Sequence, residues 1–179
     1  MYFLSEQYYW GYPVETYSST NPDRLTAAQN YLTIIAAHET SHQWWYALTG
    51  NDQAIEPWLD ETLATYTEHL FYEHYYPELV DWWWEFRVDY YAPRDCCVNA
   101  TIYQYGDPRA YINAVYLRGA YFMQELRDIM GDTAFYAALQ TYAQRYRDSF
   151  STARDFWAIM GEYTTEDLTP IRQRYFGGQ

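Results

Sequence analysis

The sequence has little positive charge. Eleven Lys and Arg stand against 24 Asp and Glu, leaving a net charge of -13 and a pI of about 4.5. A chain so acidic repels phosphate backbones and anionic lipid, which argues against nucleic acid and membrane surfaces as partners. The same balance favours solubility and weakly suits substrates with a positive amino terminus. No apolar run approaches the ~18 residues that a membrane span needs. Met1-Tyr2-Phe3-Leu4-Ser5 lacks the basic start and long apolar stretch of a secretory signal. Location is left open: an extracellular or cell-envelope site would require a signal upstream of this chain. Cysteine is scarce too, with only Cys96 and Cys97. A bridge between neighbours is strained and rare, so the pair reads as two thiols in a loop rather than a redox centre, and says little about compartment. Asn99-Ala100-Thr101 is a glycosylation sequon, meaningful only in a eukaryotic secretory context. There is no internal repeat and no low-complexity linker.

Apolar residues are not scarce. They make up 49% of the chain, which excludes disorder, and 179 residues suffice for one domain with its own core. Aromatics reach 22%, with 23 Tyr and 8 Trp, and are expected to build the core and much of the surface by packing. A stacking surface for carbohydrate or peptide is the lesser reading.

The stretch that organises the rest is His38-Glu39-Thr40-Ser41-His42. Residues 25–48 contain no Gly or Pro, and Asn21-Pro22 supply a capping residue and a first-turn proline, so a helix is expected over residues 22–48. Leu25, Ala28, Leu32 and Ile35 are spaced for its buried stripe. Positions four apart share a helix face, so His38 and His42 can turn imidazole nitrogens toward one metal ion. Glu39 stands beside them, placed to act on water rather than on the metal. Tetrahedral zinc needs a third protein ligand and an open fourth position. Glu61 can supply that ligand. It falls in the first turn of a second helix, residues 57–76, whose start Pro57 and Asp60 mark, and Thr49-Gly50-Asn51-Asp52 break the chain between the two helices. A His₂Glu set fits zinc best among divalent ions.

These residues resemble a known family. His38-Glu39-Thr40-Ser41-His42-Gln43-Trp44-Trp45, the eighteen residues between His42 and Glu61, then Trp58-Leu59-Asp60-Glu61 and Tyr66-Thr67-Glu68, are similar to the aminopeptidase N family of zinc metallopeptidases, the gluzincins. That family reads H-E-x-x-H-x18-E, with W-L-N-E-G-F-A-x-Y-x-E around the third ligand. Asp60 stands for its Asn and Thr62 for its Gly. Val115-Tyr116-Leu117-Arg118-Gly119 resembles the family's V-Y-x-K-G block, with Arg118 for Lys. The resemblance implies one zinc ion held by His38, His42 and Glu61, Glu39 as general base, and Tyr116 as the group that stabilises the tetrahedral intermediate. It implies hydrolysis of peptide bonds, most simply the first bond of a peptide with a free N-terminus. The family also holds the substrate amine with a Glu upstream of the zinc helix. Gly11-Tyr12-Pro13-Val14-Glu15-Thr16 is one register for it; in the better one, Tyr2-Phe3-Leu4-Ser5 ends a strand and the anchoring Glu would precede Met1, making the chain a fragment or reduced form of a longer enzyme.

Further helices are expected over residues 77–91, 109–130, 133–147 and 153–162, with a short last one after Thr165–Pro170 and a loop over residues 92–108. Phe135, Leu139 and Tyr142 share one face, and Ser151-Thr152 cap the next helix. His69 and His74 match no ligand position and read as structural or solvent-facing. Glu68, two turns after Glu61, either orients a metal-bound His or is a solvated acid. The expected fold is mainly α, a single domain over 1–179, with a small β element at the N-terminus. By resemblance it is the helical lobe of a thermolysin-like zincin catalytic domain. The alternative to an enzyme is a binding or scaffold module that keeps a metal for stability and does no chemistry.

Overall fold

The structure, a computed structural model, describes residues 5–6, 28–91 and 97–177. Among these the chain is mostly helical. In order come α1 (Tyr31–Ser41), β1 (Thr49–Gly50), α2 (Trp58–Tyr75), α3 (Val80–Trp83), α4 (Pro108–Tyr111), α5 (Gly119–Met130), α6 (Asp132–Arg145), β2 (Ser149–Phe150), α7 (Ala153–Tyr163) and α8 (Thr169–Tyr175). The helix that follows α3 widens into a π-helical turn over Trp84–Val88, and another, Ile112–Arg118, joins α4 to α5. The two strands pair in parallel, two residues each. The strand expected at Tyr2–Leu4, and Glu15, lie outside the described residues.

α2 is the central element. Its sequence holds no Gly or Pro, Asp60 and Glu61 face the positive end of the helix dipole, and Pro77 bars continuation just past the extended-φ Tyr76. One side packs into a core with α5, α6, α7 and α8, built on Trp58, Phe122, Phe135, Tyr142 and Phe156. The other side meets α1, α3 and the Ile112–Arg118 turn through Ile34, Tyr72, Trp83, Val88, Leu117 and Ala120. Aromatic packing is thus the main use of the tyrosines and tryptophans. At Gly119 the approach to α2 is so close that an added Cβ would lie 2.3 Å from Thr62 Oγ1.

Several boundaries differ from the sequence reading, for local reasons. α1 begins at Tyr31, because Asn30, in extended backbone, takes the N-cap and accepts the Thr33 amide at 2.9 Å. Residues 22–27 lie outside the described residues. α1 also stops early, at Ser41. The chain then folds into tight turns and reverses at Tyr46, with φ of 95°, using a positive φ without a glycine. Residues 77–91 form successive 3-10, α, π and 3-10 turns rather than one helix. Within the expected loop, Ile102–Gln104 form a 3-10 turn boxed by Thr101 and Gln104. Cys97 is disulfide-bonded, where the sequence leads one to expect a free thiol. Strain disfavours pairing between neighbours without forbidding it, and Cys96 lies outside the described residues. No described helix is long and apolar enough to cross a membrane.

Candidate metal centre

Two helices converge on one point. His38 lies in the last turn of α1 and His42 caps its end, so a single turn separates the two rings. Glu61 projects from the first turn of α2. Its Oε2 lies 3.1 Å from His38 Nε2 and 3.5 Å from His42 Nε2, and the two Nε2 atoms are 3.2 Å apart. Metal bonds of ~2.0–2.2 Å at tetrahedral angles would put donor atoms ~3.3–3.6 Å apart. The triangle therefore has the dimensions of three donors around one zinc-sized ion, and two imidazole nitrogens with a carboxylate oxygen are a set that zinc accepts. It is the one such cluster of His, Cys, Asp and Glu among the described residues.

The electrostatics agree. Burial lowers the basicity of His38, but hydrogen bonds and charge from Glu61 and Glu68 outweigh it and raise its pKa to about 9. Burial opposes the charge on Glu61, yet the two imidazoles hold its carboxyl far below the ordinary range. His42 is shifted upward against burial, chiefly by Glu61. The Glu61 carboxylate thus favours positive charge between itself and the two rings. A divalent ion can take that place with release of protons.

Each ring is held from behind. His42 Nδ1 lies 3.1 Å from the Trp45 carbonyl oxygen, and that Trp donates its indole N–H to Thr67 on α2 at 2.9 Å. His38 Nδ1 lies 2.8 Å from Glu68 Oε1. A carboxylate only accepts, so Nδ1 carries the proton and Nε2 is left to face the triangle. Glu68 is fully buried. Its burial excludes the solvated acid, and its contact with His38 is the one the orienting reading needs. Burial works against its charge, while the Arg87 guanidinium and the His38 contact hold the carboxyl below its usual range.

Tyr116 sits on the Ile112–Arg118 π-turn and stacks on His38, with centroids 5.6 Å apart and planes 11° from parallel. Burial first, then the Glu61 charge, pushes its phenol well above the ordinary range, so it remains a neutral O–H donor. Glu39 is half-buried on α1 beside His38. Asp60 is no helix cap. It is fully buried and accepts the side-chain amides of Asn51 (3.0 Å) and Gln53 (2.5 Å), and burial together with the Glu61 charge raises its pKa to about 6. His69 is buried among Tyr66, Trp83 and Trp84, and His74 is exposed; neither joins the triangle. Sequence reasoning missed Arg87 and Trp83. Their four-residue spacing places both on one face, a pattern visible in the sequence, but nothing there says that the face meets Glu68.

Comparison with known proteins bears on the whole chain. A family model described as the peptidase family M1 domain matches residues 15–175. Aminopeptidase M1-C of Oryza sativa subsp. japonica is 27% identical over 149 residues, covering 77% of this chain and 16% of that protein. Aminopeptidase N of Lactobacillus delbrueckii subsp. lactis is 27% identical over 171 residues, covering 88% of this chain and 20% of its own. The chain thus spans about a fifth of such relatives. Among solved structures, the M1 zinc metallopeptidase of Deinococcus radiodurans superposes with a TM-score of 0.64 at 22% identity, over 86% of this chain and 34% of that one. Its E323A mutant bound to a Tyr-Ser-Ala substrate gives 0.63 over 87% and 35%. These likenesses establish the helical fold.

Proposed function

The chain belongs to peptidase family M1, and from that membership we propose that it hydrolyses peptide bonds with zinc, removing N-terminal residues from peptides. The observation that supports this most is the His38–His42–Glu61 triangle, with Glu39 and Tyr116 beside it. Zinc held by those three would polarise the scissile carbonyl and acidify a water at the open position, toward a pKa of ~7. Glu39 takes the proton of the attacking water and delivers it to the leaving amine. Tyr116, a neutral phenol, donates a hydrogen bond to the oxygen that becomes negative in the tetrahedral intermediate. Glu68 and the Trp45 carbonyl keep both imidazoles in the tautomer and orientation this requires. Preference for a free N-terminus is suggested by the relatives, which are named aminopeptidases.

The test is hydrolysis of aminoacyl-arylamides by the zinc-loaded chain and its Glu39→Gln variant. The amide keeps the shape and cannot take the proton, so the rate should drop by ~10²–10⁴-fold with zinc content unchanged. Zinc binding with equal turnover, or none, in both proteins would reject the catalytic reading and favour a metal-stabilised scaffold.

A further inference from the structure

We infer that Arg87 is a positioning residue for the metal centre: through Glu68 it locks the imidazole of His38 in the orientation that binds metal. The inference rests on the metal reading above. Its basis is that every acceptor position of Glu68 is filled. Oε1 takes His38 Nδ1 at 2.8 Å and Arg87 Nη2 at 3.0 Å; Oε2 takes Arg87 Nε at 2.8 Å and Trp83 Nε1 at 3.3 Å. A carboxylate offers about four such positions. Arg87 supplies two, in the parallel fork that fixes a carboxylate plane rather than merely neutralising it. With the plane fixed, Oε1 can point only at His38, and the ring cannot turn about χ2 without breaking a buried hydrogen bond. Arg87 and Glu68 are buried at 5% and 0% exposure, so water cannot substitute for either. Arg87 lies in the π-turn Trp84–Val88 and Trp83 just before it, and both reach the one carboxylate.

A purely structural role is the competing explanation, and Arg127 provides the comparison. Also buried among the described residues, it forks to two carboxylates, Glu73 (2.8 and 2.9 Å) and Asp132 (2.7 and 3.0 Å), yet neither partner touches a candidate ligand. The experiment measures the zinc dissociation constant by chelator competition, and the visible spectrum of the cobalt-substituted protein. Wild type, Arg87→Lys and Arg127→Lys are compared, each checked for folding by circular dichroism. Lysine keeps the buried charge, so Arg87→Lys should fold, but it cannot form the fork. Its zinc affinity should fall by about 10- to 100-fold, with an altered cobalt spectrum, as for other partners of metal-bound histidines. Arg127→Lys should leave both unchanged. Should Arg87→Lys prove unfolded, the pair Arg87→Met with Glu68→Gln removes both charges at once, and the same loss of affinity is expected. Wild-type affinity and spectrum in a folded Arg87 variant overturn this inference while leaving the metal site intact. A wild-type chain that binds no zinc overturns both.

Discussion

At the scale of single residues, the chain separates two kinds of buried histidine. His38 lies between two carboxylates, whereas His69 lies among rings, with Glu73 and Arg127 as the charged groups facing it. Burial, helped by Arg127 and opposed by Glu73, lowers the pKa of His69 to about 4. Above pH ~6.5 the ring is neutral in folded and unfolded chains alike and contributes nothing. As pH falls from there toward 4, the unfolded chain takes up the proton first, so stability is lost, by up to ~3 kcal/mol. Urea unfolding at pH 7 and pH 4.5 should therefore show a smaller acid-induced loss in His69→Phe than in wild type. An equal loss in both would remove His69 from the account. The ligand candidates were legible in the sequence because their spacing is a local property of helices. Arg87 was not, since its importance lies in a contact nineteen residues away in sequence that only packing creates.

At the scale of elements, the fit between α2 and α5 explains why Thr62 stands where the resembled family has Gly. The Thr62 hydroxyl donates to the Val115 carbonyl at 2.5 Å, satisfying an oxygen in the π-turn that presents Tyr116. Gly119 leaves the room for it. Gly119→Ala should destabilise the chain by ~1–3 kcal/mol through the clash. Adding Thr62→Ala should recover much of that loss, giving a coupling of ~1 kcal/mol or more in a double-mutant cycle of thermal or chemical unfolding. Additive effects would show that the two helices do not meet in this way. Element existence was mostly legible: α2, α6, α7 and α8 lie near where apolar spacing, caps and prolines place them. The ends of α1 were not: Asn30, which caps Tyr31, sits inside a stretch that reads as continuous helix. The absence of Gly and Pro also suggested continuity where Tyr46 turns the chain by adopting a strained φ. The π-turns have no simple sequence signature, since widening depends on what the carbonyls meet.

At the scale of the whole molecule, α2 joins two aromatic cores, and the candidate centre bridges its first turn to the end of α1. The mainly helical class was legible from composition and periodicity; the pairing of β1 with β2 was not, being a contact between segments about a hundred residues apart. A net charge of -13 sets the background against which a divalent cation is held. The measurement that tests the central claim most directly is X-ray absorption on the zinc-loaded chain and on His42→Ala. One zinc per chain is predicted, four-coordinate, with two imidazole nitrogens and oxygens at ~2.0–2.2 Å, and with one imidazole fewer in the variant. Failure to bind stoichiometric zinc, or a first shell unchanged by the loss of His42, would contradict the account.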